Sequence, residues 1–273
     1  MSTKCWAKLL PIRMAAILLG GWASQTTCSG DAANTNGTPS KYEEPKLLMG
    51  TIYAKNSDRQ QALFKFKRVA TRSGARVNVL REYTYPDGKP AACERFVYEG
   101  DDLVSYALDE LQIGAAGAVK VRREAGKPTK SALLFEYTKD LASGSKPKTS
   151  TEALRNDTLT GDMVAPFLVS HWAELLNGEK LKCRYVVVPR RETVGFTFAK
   201  ESETTSQGRA VVIIKMEPTS LIIARLVDPV FFTVEKDGQH RVLQYVGRVT
   251  PKAKAGSKWD DLDATFVFEW PTR

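Results

Sequence analysis

Turn-forming residues punctuate this chain roughly every 8–12 residues from about residue 46 onward, and the intervals between them alternate apolar and polar side chains. Residues 61–72 read QALFKFKRVATR, with Phe64, Phe66 and Arg68 on one face and Lys65 and Lys67 on the other. Residues 75–85 (ARVNVLREYTY) form a second such run, and Pro86-Asp87-Gly88 turns it into ACERFVYEG from Ala92. Asp237-Gly238 marks a further hairpin turn. Comparable runs lie at 103–112, 117–124, 131–138, 180–188, 192–200, 209–216, 230–236, 241–249 and 263–270. Alternation of period two gives each strand one wet face, which suits antiparallel pairing and excludes the solidly apolar strands of a parallel sheet. The predicted class is mainly β: a curved antiparallel sheet, an incomplete barrel of about ten or more strands, packed on one main amphipathic helix.

That helix is where the period changes. In GDMVAPFLVSHWAELLNG (161–178), Met163, Val164, Phe167, Leu168, Trp172, Leu175 and Leu176 recur at helical spacing. Asp162 or Ala165 is the candidate N-cap, since Pro166 belongs in the first turn, and Gly178 the stop. A shorter helix or turn is expected at 219–227. The alternating side chains that should face the long helix are Tyr185, Val187, Val194, Phe196, Phe198, Phe232, Leu243, Tyr245, Phe266 and Phe268. A curved sheet covered by one helix encloses either a packed core or an apolar cavity. For the cavity case, Phe167, Trp172, Tyr185, Phe196 and Phe198 are the expected ligand-lining residues, with 163–177 as the lid.

The N-terminal region follows other rules. Lys4, Lys8 and Arg13 precede the short apolar run MAAILLGGW, and Gly21 and Ala23 supply small residues for cleavage after Ala23. Residues 1–23 therefore read as a secretory signal peptide. Residues 24–45 read as a flexible polar tether and 46–273 as the half-barrel domain. Export is expected, with the periplasm as compartment. Loss of the signal's three cations lowers the net charge from +9 to +6. That balance is too mild to imply nucleic acid and compatible with association at an anionic membrane surface. Three cysteines remain: one solution pairs Cys93 with Cys183 and leaves Cys28 as a candidate for lipidation, and the other leaves two partly buried thiols.

The catalytic inventory is thin. His171 and His240 are the only imidazoles, and neither sits in a nucleophile motif. Metal-ligand spacings and glycine-rich phosphate loops do not occur, so no metal and no cofactor is expected. The carboxylates Asp101-Asp102, Asp109-Glu110 and Asp260-Asp261-Asp263 read as turn acids, or as the raw material of an acid–base pair. The Lys/Arg-rich stretch 120–148 reads as the wet face of edge strands. Arg190-Arg191 is a candidate protein contact, with no partner identified.

Two stretches, YTYPDGKPAACERFVYEGDDLVSYALDE (83–110) and GDMVAPFLVSHWAELLNGEKLKCRYVVVPRRETVGFTF (161–198), resemble an uncharacterised family of bacterial exported proteins. Its shape is similar to the lipoprotein-carrier half-barrels of the LolA/LolB type. The resemblance implies an incomplete barrel wrapped around helices, holding acyl chains in its hollow. Three functions follow in order of expectation: binding a lipid or other apolar ligand, a structural or adaptor module working through its surface, and a carboxylate-based hydrolase of envelope polymer or lipid.

Overall fold

The computed structural model describes residues 40–124, 131–225 and 227–270. Strands account for 61% of the structure, which settles the mainly-β class. Among the described residues fifteen strands belong to one sheet. From its middle the chain walks outward through β1 (Leu47–Ala54), β2 (Ala62–Ser73), β3 (Arg76–Thr84), β4 (Pro90–Glu99), β5 (Asp102–Glu110), β6 (Ala115–Arg122), β7 (Ala132–Thr138) and β8 (Lys148–Ala153). It then crosses to the opposite edge, β9 (Thr158–Leu159), and two short helices follow, α1 (Val164–Ser170) and α2 (Trp172–Leu176). The return runs through β10 (Leu181–Val187), β11 (Glu192–Ser206), β12 (Arg209–Pro218), helix α3 (Leu221–Ala224), β13 (Val230–Glu235) and β14 (Val242–Ala255). β15 (Lys258–Glu269) ends it beside β1. Neighbouring strands are antiparallel, except the short parallel pair β9–β10.

The sheet is curved and open, and its β8 edge approaches the start of β11. Bulges at Ile52/Tyr53, Lys200/Ser202 and Val249/Lys252 add local twist along the longest strands. At the seam, β8 meets β11 through side chains: Glu152 Oε2 accepts from the Thr193 N–H at 3.0 Å and from its Oγ1 at 2.6 Å, and Ser150 Oγ donates to the Arg191 carbonyl. A 3-10 turn at Val188–Arg190 lies against β6, where Gly117 has no side chain. A Cβ there would stand 2.6 Å from the Glu136 carbonyl oxygen and 2.7 Å from Val188 Cγ1.

The observed strands extend the sequence reading. β1, β8 and β9 are additional, and β11 and β14 run well past their expected ends. The expected single helix over 163–177 is broken at His171, whose φ of −115° and ψ of 26° leave the helical region. Ser170 Oγ explains the break: it donates at 3.0 Å to both the Pro166 and Phe167 carbonyls, a back-bond that bends helices. Met163, not Asp162 or Ala165, occupies the N-cap position, and no side chain caps it. Gly178 ends α2 as expected, at φ +84° with its N–H on the Leu175 carbonyl.

The helix stripe packs as a core. Leu168, Trp172 and Leu175 lie against Phe198, Val212, Ile214 and Val234 of β11–β13, each large side chain contributing about 2–3 kcal/mol before entropy. One register differs from expectation. A bulge between Thr233 and Val234 leaves Leu243 unpaired on β14, so Val242, rather than Leu243, turns inward beside Tyr245. Folded packing also reaches back to Ser40: Tyr42 is buried and stacks on Tyr98 with ring centroids 4.0 Å apart. The expected signal peptide (1–23), Cys28 and residues 24–39 of the expected tether lie outside the described residues.

Candidate ligand-binding cavity

Strands from both halves of the sheet, β3–β5 and β10–β15, wall a single hollow of about 390 Å³. It lies in the range of small-molecule sites, roughly 300–1,000 Å³. Alternation dictates what reaches it. On β4, Glu94 and Phe96 turn inward while Cys93 and Arg95 turn outward; on β10, Tyr185 turns inward with Cys183. One wall is apolar, built by Val194, Phe196, Met216, Val230, Phe232 and Phe268. α1 adds Val164 and Ala165. The cavity opens at a rim that includes Arg190 and Asp261, whose side chains are half exposed.

The floor is polar. Arg81 NH2 donates to Tyr83 Oη at 2.8 Å, and Tyr83 Oη donates to Glu94 Oε2 at 2.9 Å. Tyr106 Oη donates to the other Glu94 oxygen at 2.8 Å. The Arg81 guanidinium carbon lies 5.3 Å from the Phe66 ring centroid. Burial opposes the charge on Arg81, yet Glu94 and its neighbours outweigh that penalty and hold its pKa well above the ordinary arginine value. Burial pushes the hydroxyls of Tyr106, Tyr185 and Tyr245 up, so all three are neutral donors at physiological pH.

Near the rim a second charged group gathers around Lys252. Its Nζ lies 3.1 Å from Glu110 Oε1 and 2.7 Å from Asp261 Oδ1, and Tyr137 Oη donates to Glu110 Oε2 at 2.6 Å. Arg248 contacts Asp261 and, at 2.8 Å, Asp263. Glu110, Asp261 and Asp263 thus sit on strands and balance cations, whereas Asp101 lies in a turn as read. Asp101 and Asp102 stay at the surface, beside Lys41 and Arg123.

Of the five side chains expected to line a ligand site, Tyr185 and Phe196 reach this cavity. Phe198 and Trp172 lie in the packed core, Trp172 stacked on His240 at 4.5 Å. Phe167 sits half-buried against Phe198 and His171 and faces an outer groove instead. Arg81, Glu94, Tyr106 and Lys252 escaped sequence reasoning, because a charge on an alternating strand looks like its wet face. The one signal was position: Arg81 and Tyr83 share a face, as do Glu94 and Phe96, in strands that pair with each other.

Cys93 and Cys183, whose pairing is one of the two cysteine arrangements open in the sequence, are not bonded to each other. The side chains leave opposite faces of the sheet, Cys93 with Arg95, whose NH1 lies 3.4 Å from its sulfur, and Cys183 in the core beneath α2. Among the described residues no three His, Cys, Asp or Glu side chains converge as metal ligands. No described helix is long and apolar enough to cross a membrane.

Fold and site together define a mainly-β protein, one curved open sheet around a cavity that has an apolar wall and a charged floor. Among solved structures the chain is similar to the crystal structure of a beta-barrel-like protein of a domain of unknown function, DUF1849, from Brucella abortus. Identity is 8%, coverage is 82% of this chain and 94% of that one, and the TM-score is 0.41. No family model and no curated protein matches the sequence.

Proposed function

We propose that the protein is an exported envelope protein that binds a lipid or other apolar ligand in the hollow of its curved sheet. The cavity carries the proposal: a sheet serving only as a scaffold gains by filling its interior, whereas here about 390 Å³ is left open behind an apolar wall. The basic, apolar and small-residue segments of residues 1–23 support export. The likeness to lipoprotein-carrier half-barrels, read from residues 83–110 and 161–198, belongs to the same proposal, as does contact with an anionic membrane surface. The adaptor reading is less favoured, since Arg190 is engaged at 2.5 Å by Glu192 and borders the cavity. The hydrolase reading is also less favoured, because Glu110 and Asp261 are both bound to Lys252.

Native mass spectrometry of the protein purified from an exporting host tests the proposal. Extra mass that is lost on organic extraction is the expected result. A clean apoprotein mass, together with no uptake of the fluorescent apolar probe N-phenyl-1-naphthylamine, would overturn it.

A further inference from the structure

The charged floor of the cavity is not self-sufficient. Arg81 is only 8% exposed and lines the hollow, yet its Nε and NH1 have no hydrogen-bond acceptor. Glu94 lies 3.4 Å from Nε, but its oxygens already take the hydroxyls of Tyr83 and Tyr106. Buried charged donors are seldom left unmade, and a functional site is one of the recognised reasons. Gly161 keeps the neighbourhood clear: a Cβ there would stand 2.9 Å from Arg81 NH1 and 3.0 Å from Tyr185 Oη. The lining as a whole carries one cation in excess, with Arg81, Arg190, Arg248 and Lys252 against Glu94, Glu110 and Asp261. Opposite this polar group stands the apolar wall.

We infer that the hollow takes an amphiphile with an acidic head, a carboxylate or a phosphate monoester, held by Arg81 and Tyr185 with its chain along the wall of Val194, Met216, Phe232 and Phe268. This rests on the apolar-ligand reading above and adds the head group. A guanidinium suits either oxyanion, since both accept paired N–H donors.

The test displaces N-phenyl-1-naphthylamine from the purified protein with dodecanoic acid, monododecyl phosphate and dodecanol, which share a chain and differ in the head. Either acid should bind at least about tenfold more tightly than the alcohol, the margin of one hydrogen bond to a charged group. The tighter of the two acids identifies the head group. In the charge-neutral double variant Arg81→Met/Glu94→Gln the margin should vanish while dodecanol still binds. Where that variant fails to fold, Tyr185→Phe, which loses only a hydroxyl, should narrow the margin by about threefold or more. Equal binding of acids and alcohol by the native protein would overturn the head-group inference and leave the apolar-ligand reading standing. A margin that survives in the folded variant would also overturn it. Displacement of the probe by none of the three would overturn the head-group inference, while no uptake of the probe itself, with a clean apoprotein mass, would overturn both.

Discussion

Arg68 and Asp162 meet as a buried ion pair, Nε to Oδ1 at 2.7 Å and NH2 to Oδ2 at 3.1 Å, with both side chains less than a tenth exposed. The pair ties β2, near the middle of the sheet, to the segment that leads into α1. Tyr98 Oη donates to Asp162 Oδ2 at 3.2 Å, and Arg68 NH2 donates to the Tyr42 carbonyl at 2.7 Å. One guanidinium thus fastens the helical crossing and the N-terminal segment to the same strand.

Removing one partner of this pair should therefore cost far more than removing both. Asp162→Ala strands a buried guanidinium and is expected to lose about 3–5 kcal/mol of stability, whereas Arg68→Met/Asp162→Leu should lose much less. Urea denaturation midpoints at unchanged m measure both. A loss under about 1 kcal/mol for Asp162→Ala would show the pair to be dispensable.

Cys183 should be chemically silent in the folded protein. Burial among Leu168, Leu175 and Phe198 pushes its thiol up to about 12, and the thiolate is the reactive form. Iodoacetamide at about pH 8 should label the Cys183 peptide only in denaturant, and non-reducing peptide mapping should find it unlinked to Cys93. A disulfide-linked peptide would contradict the facing of β4 and β10.

The strands legible in the sequence were those with one apolar and one polar face. β8 (KTSTEA) is polar on both faces, because it is an edge strand laddered to β7 and met on its outer side only through side chains, and offers no periodicity. β1 was obscured by Gly50, where a Cβ would lie 2.6 Å from Phe266 Cε2, so a close approach replaces the side chain a strand pattern needs. The end of β14 is interrupted by Pro251, which the bulge between Val249 and Lys252 accommodates. The helix stripe was legible in part: Leu168, Trp172 and Leu175 pack as a core face, so Trp172 and Phe198 pack instead of lining the hollow. The charged floor was illegible for a deeper reason. A period-two pattern identifies two faces but not which one a curved sheet turns inward when both carry charge.

The Lys252–Asp261 contact sets a pH window. Burial opposes ionisation of Asp261, but Lys252 and Arg248 outweigh it and hold its pKa below the ordinary carboxylate value. Burial likewise works against charged Lys252, and Asp261 and Glu110 overcome it, raising its pKa. The carboxylate's contribution is present above its unfolded pKa of about 4 and is lost as pH falls through the lower folded value. The lysine's contribution is complete below about pH 10.4 and is lost as pH rises through its higher folded value. Stability should thus plateau between those limits. Asp261→Asn should flatten the acid limb while costing under about 1 kcal/mol at neutral pH, since Asp261 is half exposed and screened. Thermal unfolding across the pH range measures both; an unchanged acid limb in the variant would refute the assignment.

Gly117 sets how closely the 3-10 turn packs on β6. The 3-10 turn at Val188–Arg190 rests on β6 because nothing projects from position 117, and the Glu136 carbonyl that a Cβ would strike is backbone and cannot swing aside. Gly117→Ala should lift the turn off β6, and with it the neighbouring contacts of Ser150 with Arg191 and of Glu152 with Thr193. The expected cost is that of overpacking, about 1–3 kcal/mol. Its location distinguishes it from a general loss. Gly256→Ala, at φ +61° in the β14–β15 turn with open space around it, also destabilises through backbone strain but touches no seam. Amide hydrogen exchange should quicken along β8 and residues 188–193 in Gly117→Ala and stay at native rates there in Gly256→Ala. Equal protection of the seam in both variants would mean that β8 and β11 are held together elsewhere.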